Sequence, residues 1–449
     1  MVDIDMVVYK KIAVAMIIAL VVFLLSFMPF TLTQALLLGV IAFLVTLWTN
    51  EGLPLGVVSL LPIVLFPSFG ILSTNLTTQN YANPIIFLFL GGFFIAIAVE
   101  KSNLHKWIAN KIFSIFPATP KGIIFSLTIS SGLISSLLSN TTTALLLIPV
   151  ALFLSDDAKL KMRFALSVAY GASVGGILTP IGTPPNLILL GFMQDKGMEA
   201  FSFVEWIWMM TPLVFVMFIA VASILSIGVS GAKISFEEEK KELNSEQKKI
   251  LLLLGGIILL LLLNAPLGSY WGGLGLNESV VLLGGGLLLF APPFSILDWM
   301  DDKGKVPFRI MFLFGAGFSI AAAFSSSGLA NEVASYLITF SQHPLLFIIL
   351  SIAVLVTFTT EITSNTALIS VILPIIYALA IQTNMDARLF MMVATVCASY
   401  AFMLPIATPP NAIAMSSGAV NVKDMLRYGF LLNLIGIFFV VIIADFFWK

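Results

Sequence analysis

Two short polar patterns carry the chemistry of this chain, and each occurs twice. Ser139-Asn140-Thr141 returns as Ser364-Asn365-Thr366, and Thr183-Pro184-Pro185-Asn186 returns as Thr408-Pro409-Pro410-Asn411. All four stand inside otherwise apolar sequence. Ser, Asn and Thr compete for backbone hydrogen bonds and favour helix caps and turns, so each tip ends one helix and begins another. In a dry setting such a break gathers free carbonyls from a helix C-terminus and free N–H groups from a helix N-terminus. The carbonyls are ligands for a hard cation, and the N–H groups, hydroxyls and amide are donors for an anion. The paired prolines reach a similar result by breaking the helix and leaving carbonyls unpaired. Gly182, and Ala407 in the second copy, are small enough for the backbone there to approach an ion closely. A hydroxyl also stands four residues before each tip, Ser135 before Ser139 and Thr360 before Ser364. That spacing places each pair on one helical face.

A single cluster of this kind could serve only as interhelical glue. Four in one register argue for a site. Phe87-Leu88-Phe89 matches Phe312-Leu313-Phe314, Gly92-Phe93 matches Gly317-Phe318, Pro149 matches Pro374, and Pro180-Ile181 matches Pro405-Ile406. Like the two polar patterns, every pair lies 225 residues apart (Ser139 to Ser364).

The elements that position these residues follow from composition. The chain has 449 residues, of which 59% are hydrophobic and only 10% charged. A soluble protein needs polar residues to cover its outside; a bilayer asks instead for repeated apolar stretches of about 20 residues. The sequence therefore predicts an all-α integral membrane protein with eleven spans: 11–30, 33–50, 53–67, 84–100, 163–192, 203–228, 250–264, 278–292, 307–324, 388–418 and 427–448. The first is too long for a signal segment and is expected to be retained. Two further apolar stretches, 121–154 and 344–380, are broken mid-way by the polar tips and read as re-entrant hairpins, which need protein or a water-filled cavity around them.

Charge sets the orientation. With the N-terminus in the cytoplasm and both hairpins re-entrant, all basic residues but Lys196, Arg388 and Lys449 fall inside, out of 22. This is the positive-inside pattern. A spanning 121–154 would instead move Lys159, Lys161 and Arg163 outside. The C-terminus is then outside, and the location is the plasma (inner) membrane. Residues 1–232, with spans one to six and a cytoplasmic-side hairpin, form one repeat. Residues 233–449, with five spans and an outer-side hairpin, form its inverted copy. Inverted repeats are a common plan for secondary transporters, with the site at the bilayer midplane, although channels also carry them. Segments 101–116 and 329–342 read as amphipathic helices lying in the inner and outer interfaces. The charged stretch 233–249 reads as a solvated connector.

Other residues narrow the function. No Lys or Arg lies in the apolar core, so an anionic cargo must have its charge met by cations and helix dipoles. Glu361, three residues before the second tip, is the clearest deep acid. Its repeat counterpart is Ser136, so it departs from the symmetry and serves either as a structural hydrogen-bonding group or in coupling. His105 and His343 lie near interfaces, and the single cysteine, Cys397, reads as packing. No nucleophile–base set or metal-ligand cluster is apparent, so no enzyme activity is expected. The net charge of −1 points to no nucleic-acid partner.

The paired Ser-Asn-Thr tips, with the Gly-Thr-Pro-Pro-Asn and Ala-Thr-Pro-Pro-Asn breaks, resemble the divalent anion:sodium symporter family, which includes bacterial and animal sodium–dicarboxylate cotransporters. The likeness extends over essentially the whole chain. It implies a homodimer whose protomers each hold a scaffold domain and a transport domain that moves as an elevator. It implies one Na+ site at Ser135, Ser139, Asn140 and the Gly182 carbonyl. A second would use Thr360, Thr363 (through its carbonyl), Asn365 and the Ala407 carbonyl. Substrate carboxylates would meet Asn140 and Thr141 at one end and Asn365 and Thr366 at the other, with Pro409 nearby. Thr363 departs from the family, which often has a small apolar residue there. Two symmetry-related tips suit a molecule with a carboxylate at each end, such as succinate, fumarate or malate, carried with two or more Na+ ions. Dicarboxylate exchange, or carriage of sulfate, citrate or 2-oxoglutarate, fits the same frame.

Overall fold

A computed structural model describes residues 2–230, 242–264, 272–337 and 342–449, and among these every regular element is a helix. Seven described helices are long and apolar enough to cross a bilayer by themselves: Met6–Ser26, Leu32–Asn50, Thr74–Lys101, Phe203–Ser226, Phe308–Ser326, Asn365–Thr383 and Val422–Trp448. Of the other predicted spans, 250–264 lies in one unbroken helix, Ser245–Asn264, 278–292 holds the shorter Glu278–Leu288, and three are interrupted. Segment 53–67 contains Leu55–Val58 and Leu61–Ser68; 163–192 contains Ala158–Gly175 and Pro184–Asp195; 388–418 contains Ala387–Cys397 and Pro409–Ser416. Each interruption shortens the helices on either side of it, whereas Asn365–Thr383, expected as a hairpin arm, is itself long enough to cross.

Local sequence explains many helix starts. Thr31 and Gln34 form a capping box at Leu32–Asn50, and Ser202 and Glu205 form another at Phe203–Ser226. Each satisfies two otherwise orphaned N–H groups. Both amphipathic segments are helical, as Leu104–Phe113 and Leu329–Leu337. Residues 338–341 of the second, and 233–241 of the charged connector, lie outside the described residues.

The tips fall between helices. Arms Pro120–Ser135 and Asn140–Phe153 make the first hairpin, and Leu345–Thr360 and Asn365–Thr383 the second. Starts at Leu104, Pro120, Asn140 and Pro184 are matched 225 residues later by starts at Leu329, Leu345, Asn365 and Pro409.

The chain divides into two compact units, each drawing on both sequence halves. One comprises Met1–Ile86, Ile188–Glu199 and Pro307–Ala398; the other comprises Phe87–Leu187, Ala200–Val306 and Ser399–Lys449. The first unit holds the second hairpin. Its core is built from Leu37, Leu44, Phe66, Ile320 and Phe324, among others. The Tyr81 ring packs where Gly315 has no side chain, and its hydroxyl donates to Ser59 O at 2.6 Å.

The second unit holds the first hairpin and both Pro-Pro breaks. Arm Pro120–Ser135 lies against Ala158–Gly175 with backbones nearly touching: a Cβ on Gly175 would sit 2.0 Å from Gly132 O. Small residues at a helix crossing permit this approach. Beyond the apolar helices, Lys101 (2.7 Å) and Lys305 (2.9 Å) clamp the buried Asp302 carboxylate, which also accepts from Asp298 N–H. Burial alone would raise the Asp302 carboxyl, but these bonds bring it down to about 2.

Candidate functional site

The first tip begins where arm Pro120–Ser135 runs out. Ser139 is extended (φ −66°, ψ 145°) and caps the second arm, accepting from Thr142 N–H at 3.1 Å and donating to Thr142 Oγ1 at 2.8 Å. Ser135, one turn earlier, donates its hydroxyl to Asn140 Oδ1 at 2.6 Å. The tip is tied to the first Pro-Pro break by Thr179, whose hydroxyl donates to Ser136 O.

That break runs from the end of helix Ala158–Gly175 to the start of Pro184–Asp195. Within it, Gly182 N–H donates to Thr179 O at 3.3 Å. Asn186, fully buried, donates through Nδ2 to Gly176 O (3.2 Å) and Thr179 O (2.9 Å). Gly176 marks the meeting point: a Cβ there would lie 2.8 Å from Asn140 Oδ1 and 3.2 Å from Gly182 O. A Cβ on Gly182 would lie 2.4 Å from Gly176 O. At 182 only glycine fits without backbone movement, whereas at 176 a side chain would press first on the Asn140 amide. The structure thus brings Ser135, Asn140 and Gly182 together. The Ser139 hydroxyl, by contrast, is occupied in capping. Thr141 is half-buried in the first turn of the second arm.

The second tip, in the other unit, repeats the central bond. The Thr360 hydroxyl lies 2.7 Å from Asn365 Oδ1 and 2.8 Å from Ala398 O, so its single proton serves one acceptor at a time. Thr366 is buried in the first turn of Asn365–Thr383. Ser364 is extended but makes no side-chain cap bond. The Thr363 hydroxyl turns back to donate to Thr359 O at 2.9 Å, which holds it against its own helix. Glu361 is 2% exposed at the end of the first arm. Ala407 and Pro409 belong to the unit that holds the first hairpin.

The second Pro-Pro break has the bonds of the first. Ala407 N–H donates to Leu404 O at 3.2 Å, and buried Asn411 donates to Ala401 O (2.9 Å) and Leu404 O (3.0 Å). Sequence reasoning missed Gly176, Thr179 and Asn186 and their second-copy positions as parts of the site. The signal available was the last letter of the Pro-Pro pattern: both copies end in Asn.

Chemically, the first cluster offers a hydroxyl, an amide oxygen and a peptide carbonyl, all neutral oxygens of the kind hard cations take. No group of three or more His, Cys, Asp or Glu side chains that could hold a transition metal occurs among the described residues. Each second arm starts with its N-terminal N–H groups at the tip, and its dipole favours an anion there.

Comparison with known proteins points the same way. The family CitMHS, described as citrate transporter, matches residues 43–396. The sodium-dependent dicarboxylate transporter SdcS of Staphylococcus saprophyticus is 32% identical, covering 94% of this chain and 88% of the relative. Its namesake from Staphylococcus aureus is 31% identical, over 91% and 84%. Two solved structures share the fold. The Alcanivorax borkumensis YdaH transporter has a TM-score of 0.58 at 16% identity, covering 83% of this chain and 87% of that one. Neisseria gonorrhoeae MtrF, from a class of antimetabolite efflux pumps, has 0.60 at 14% identity, with 83% of each chain covered.

Proposed function

This chain belongs to the divalent anion:sodium symporter family, and we propose that it couples Na+ to the uptake of a C4 dicarboxylate such as succinate, malate or fumarate. It is a multi-pass membrane transporter and not an enzyme. One observation carries the reading: both tips present a hydroxyl bonded to the amide oxygen of the Asn that opens the next helix, Ser135–Asn140 and Thr360–Asn365. Relatives named as sodium-dependent dicarboxylate transporters support the choice of ion and cargo.

In this account one Na+ is held by Ser135, Ser139, Asn140 and the Gly182 carbonyl. A second is held at the other tip by Thr360, Asn365 and the Thr363 carbonyl, and the family resemblance also gives the Ala407 carbonyl a role in holding an ion. A Na+ displaces the proton of Ser135 or Thr360 from the amide oxygen and takes that oxygen as a ligand. The cation then lies beside a helix N-terminus, and the two positive ends together favour a carboxylate at Asn140 and Thr141, or at Asn365 and Thr366. With no basic side chain among these residues, the dianion binds well only when Na+ is present. Binding that depends on both solutes is the basis of coupling. The family plan adds an inverted repeat, a homodimer in the plasma (inner) membrane and an elevator movement of a transport domain past a scaffold.

A second reading, citrate as cargo, draws on the family description. Competition separates them. Labelled succinate uptake into proteoliposomes should be blocked by unlabelled malate and fumarate, and much less by citrate or sulfate. Stronger inhibition by citrate would transfer the assignment to the tricarboxylate. Counterflow that requires internal dicarboxylate, without net entry, would replace symport by exchange.

A further inference from the structure

We infer that Asn186 and Asn411 are positioning residues for the ions, each clamping its broken helix so that the Gly182 or Ala407 carbonyl is fixed before a cation arrives. The inference rests on the Na+-coupled reading above. Neither residue is among the ion or substrate ligands assigned there.

The geometry is repeated where the sequence is not. Asn186 donates to the carbonyls of Gly176 and Thr179, and Asn411 to those of Ala401 and Leu404. The acceptors lie 225 residues apart, yet their side chains differ, Gly against Ala and Thr against Leu. Only the amide donors and the backbone acceptors are shared. Each break frees carbonyls that no helix satisfies, and in a bilayer such groups need a protein partner. Both Asn side chains are fully buried, and both Oδ1 atoms are buried without a hydrogen-bond partner. An unmade bond at a buried oxygen is costly. The amide is therefore oriented by its two donors, because a flipped amide would face an oxygen to two carbonyls.

The clamp connects directly to the ion ligands in the first break. Its acceptor Gly176 is the residue whose Cβ would press on both Asn140 Oδ1 and Gly182 O. Holding Gly176 O thus sets the spacing between the amide oxygen and the carbonyl. In the second break, Asn411 holds Leu404 O, which also accepts the Ala407 N–H, so the peptide carrying the Ala407 position is held at one remove. A preformed ligand set binds more tightly because it need not be ordered at the moment of binding.

The test is Asn186→Ala in proteoliposomes. The Na+ concentration for half-maximal succinate uptake should rise about tenfold or more, as expected when the Gly176 carbonyl loses its donor and Thr179 O keeps only the long Gly182 N–H bond. The succinate concentration for half-maximal uptake at saturating Na+ should stay within about twofold, a split that general loss of structure would not produce. Equal movement of both constants, or of neither, overturns the inference. Asn411→Ala supplies the same comparison in the second copy if the first variant does not fold. Wild-type uptake that ignores Na+ would instead overturn the coupled reading. The clamp is then judged by hydrogen exchange over residues 176–183: faster exchange in Asn186→Ala supports it, and an unchanged rate refutes it.

Discussion

Replacing Gly182 with Ala places a methyl group 2.4 Å from the Gly176 carbonyl oxygen and 3.0 Å from the Gly176 C and Cα atoms. Non-bonded atoms are comfortable at about 3.5–4.0 Å, so the two strands of the break must part by roughly 1 Å. All three neighbours are backbone, and none can rotate away. Forcing a methylene into a packed site costs about 1–3 kcal/mol. If that strain is relieved by displacing the Gly182 carbonyl, the loss falls on ion binding. At about 1.4 kcal/mol per tenfold, the Na+ concentration for half-maximal uptake rises roughly 5- to 100-fold. The assay is a Na+ titration of labelled succinate uptake in proteoliposomes, with the thermal midpoint of the purified variant measured alongside. The second copy already carries Ala at both matching positions, 401 and 407, so Ala407→Gly should shift the titration much less. A Gly182→Ala protein that folds and titrates like the wild type would refute the placement of this carbonyl among the ion ligands.

Further substitutions probe other parts of the account. Asn140→Ala and Asn365→Ala should each reduce uptake to near background while the protein still folds; normal uptake by either removes that tip from the site. Thr363→Val keeps the carbonyl and deletes a hydroxyl already spent on Thr359 O, so the Na+ titration should be unchanged, and a tenfold shift would show that the hydroxyl is a ligand. Asp302→Asn should cost about 1–2 kcal/mol at pH 7, the lower end reflecting solvent screening of the two lysines. Because the folded Asp302 carboxyl is depressed to about 2, its contribution is fully present above the ordinary carboxylate range. It fades as pH falls from about 4 towards 2. The gap in thermal midpoint between wild type and variant should close over that window, and a gap independent of pH would contradict the assignment.

Much of this arrangement is legible in the sequence because helix breakers act locally. Within predicted segments 121–154 and 344–380 the break falls at the Ser-Asn-Thr tip, between helices that start at Pro120 and Asn140 and at Leu345 and Asn365. The hydroxyl four residues before each tip is found against the amide of the Asn that follows it. The Pro-Pro segments were harder. Reading 163–192 as one span places the interruption at Pro184, but the helix ends at Gly175 and the chain turns over 176–183 before restarting. Across this break Asn186 reaches back to Gly176 and Thr179. Such a bond closes a loop across the break, and no local propensity encodes it. Segment 53–67 likewise divides into two short helices. The two compact units were not legible at all, since each gathers helices from both halves through long-range packing. Thr363 shows the same limit at one residue: its type suggests a ligand, and only its neighbour Thr359 decides where the hydroxyl goes.

The central claim is that Na+ and a dicarboxylate are bound, and therefore carried, together. Its most direct measurement is accumulation of labelled succinate in proteoliposomes under an imposed inward Na+ gradient, with no other driving force. The account predicts an internal succinate concentration that overshoots the external one and collapses when the gradient is dissipated or Na+ is replaced by K+. Succinate that only equilibrates, at the same rate with or without the gradient, would contradict it.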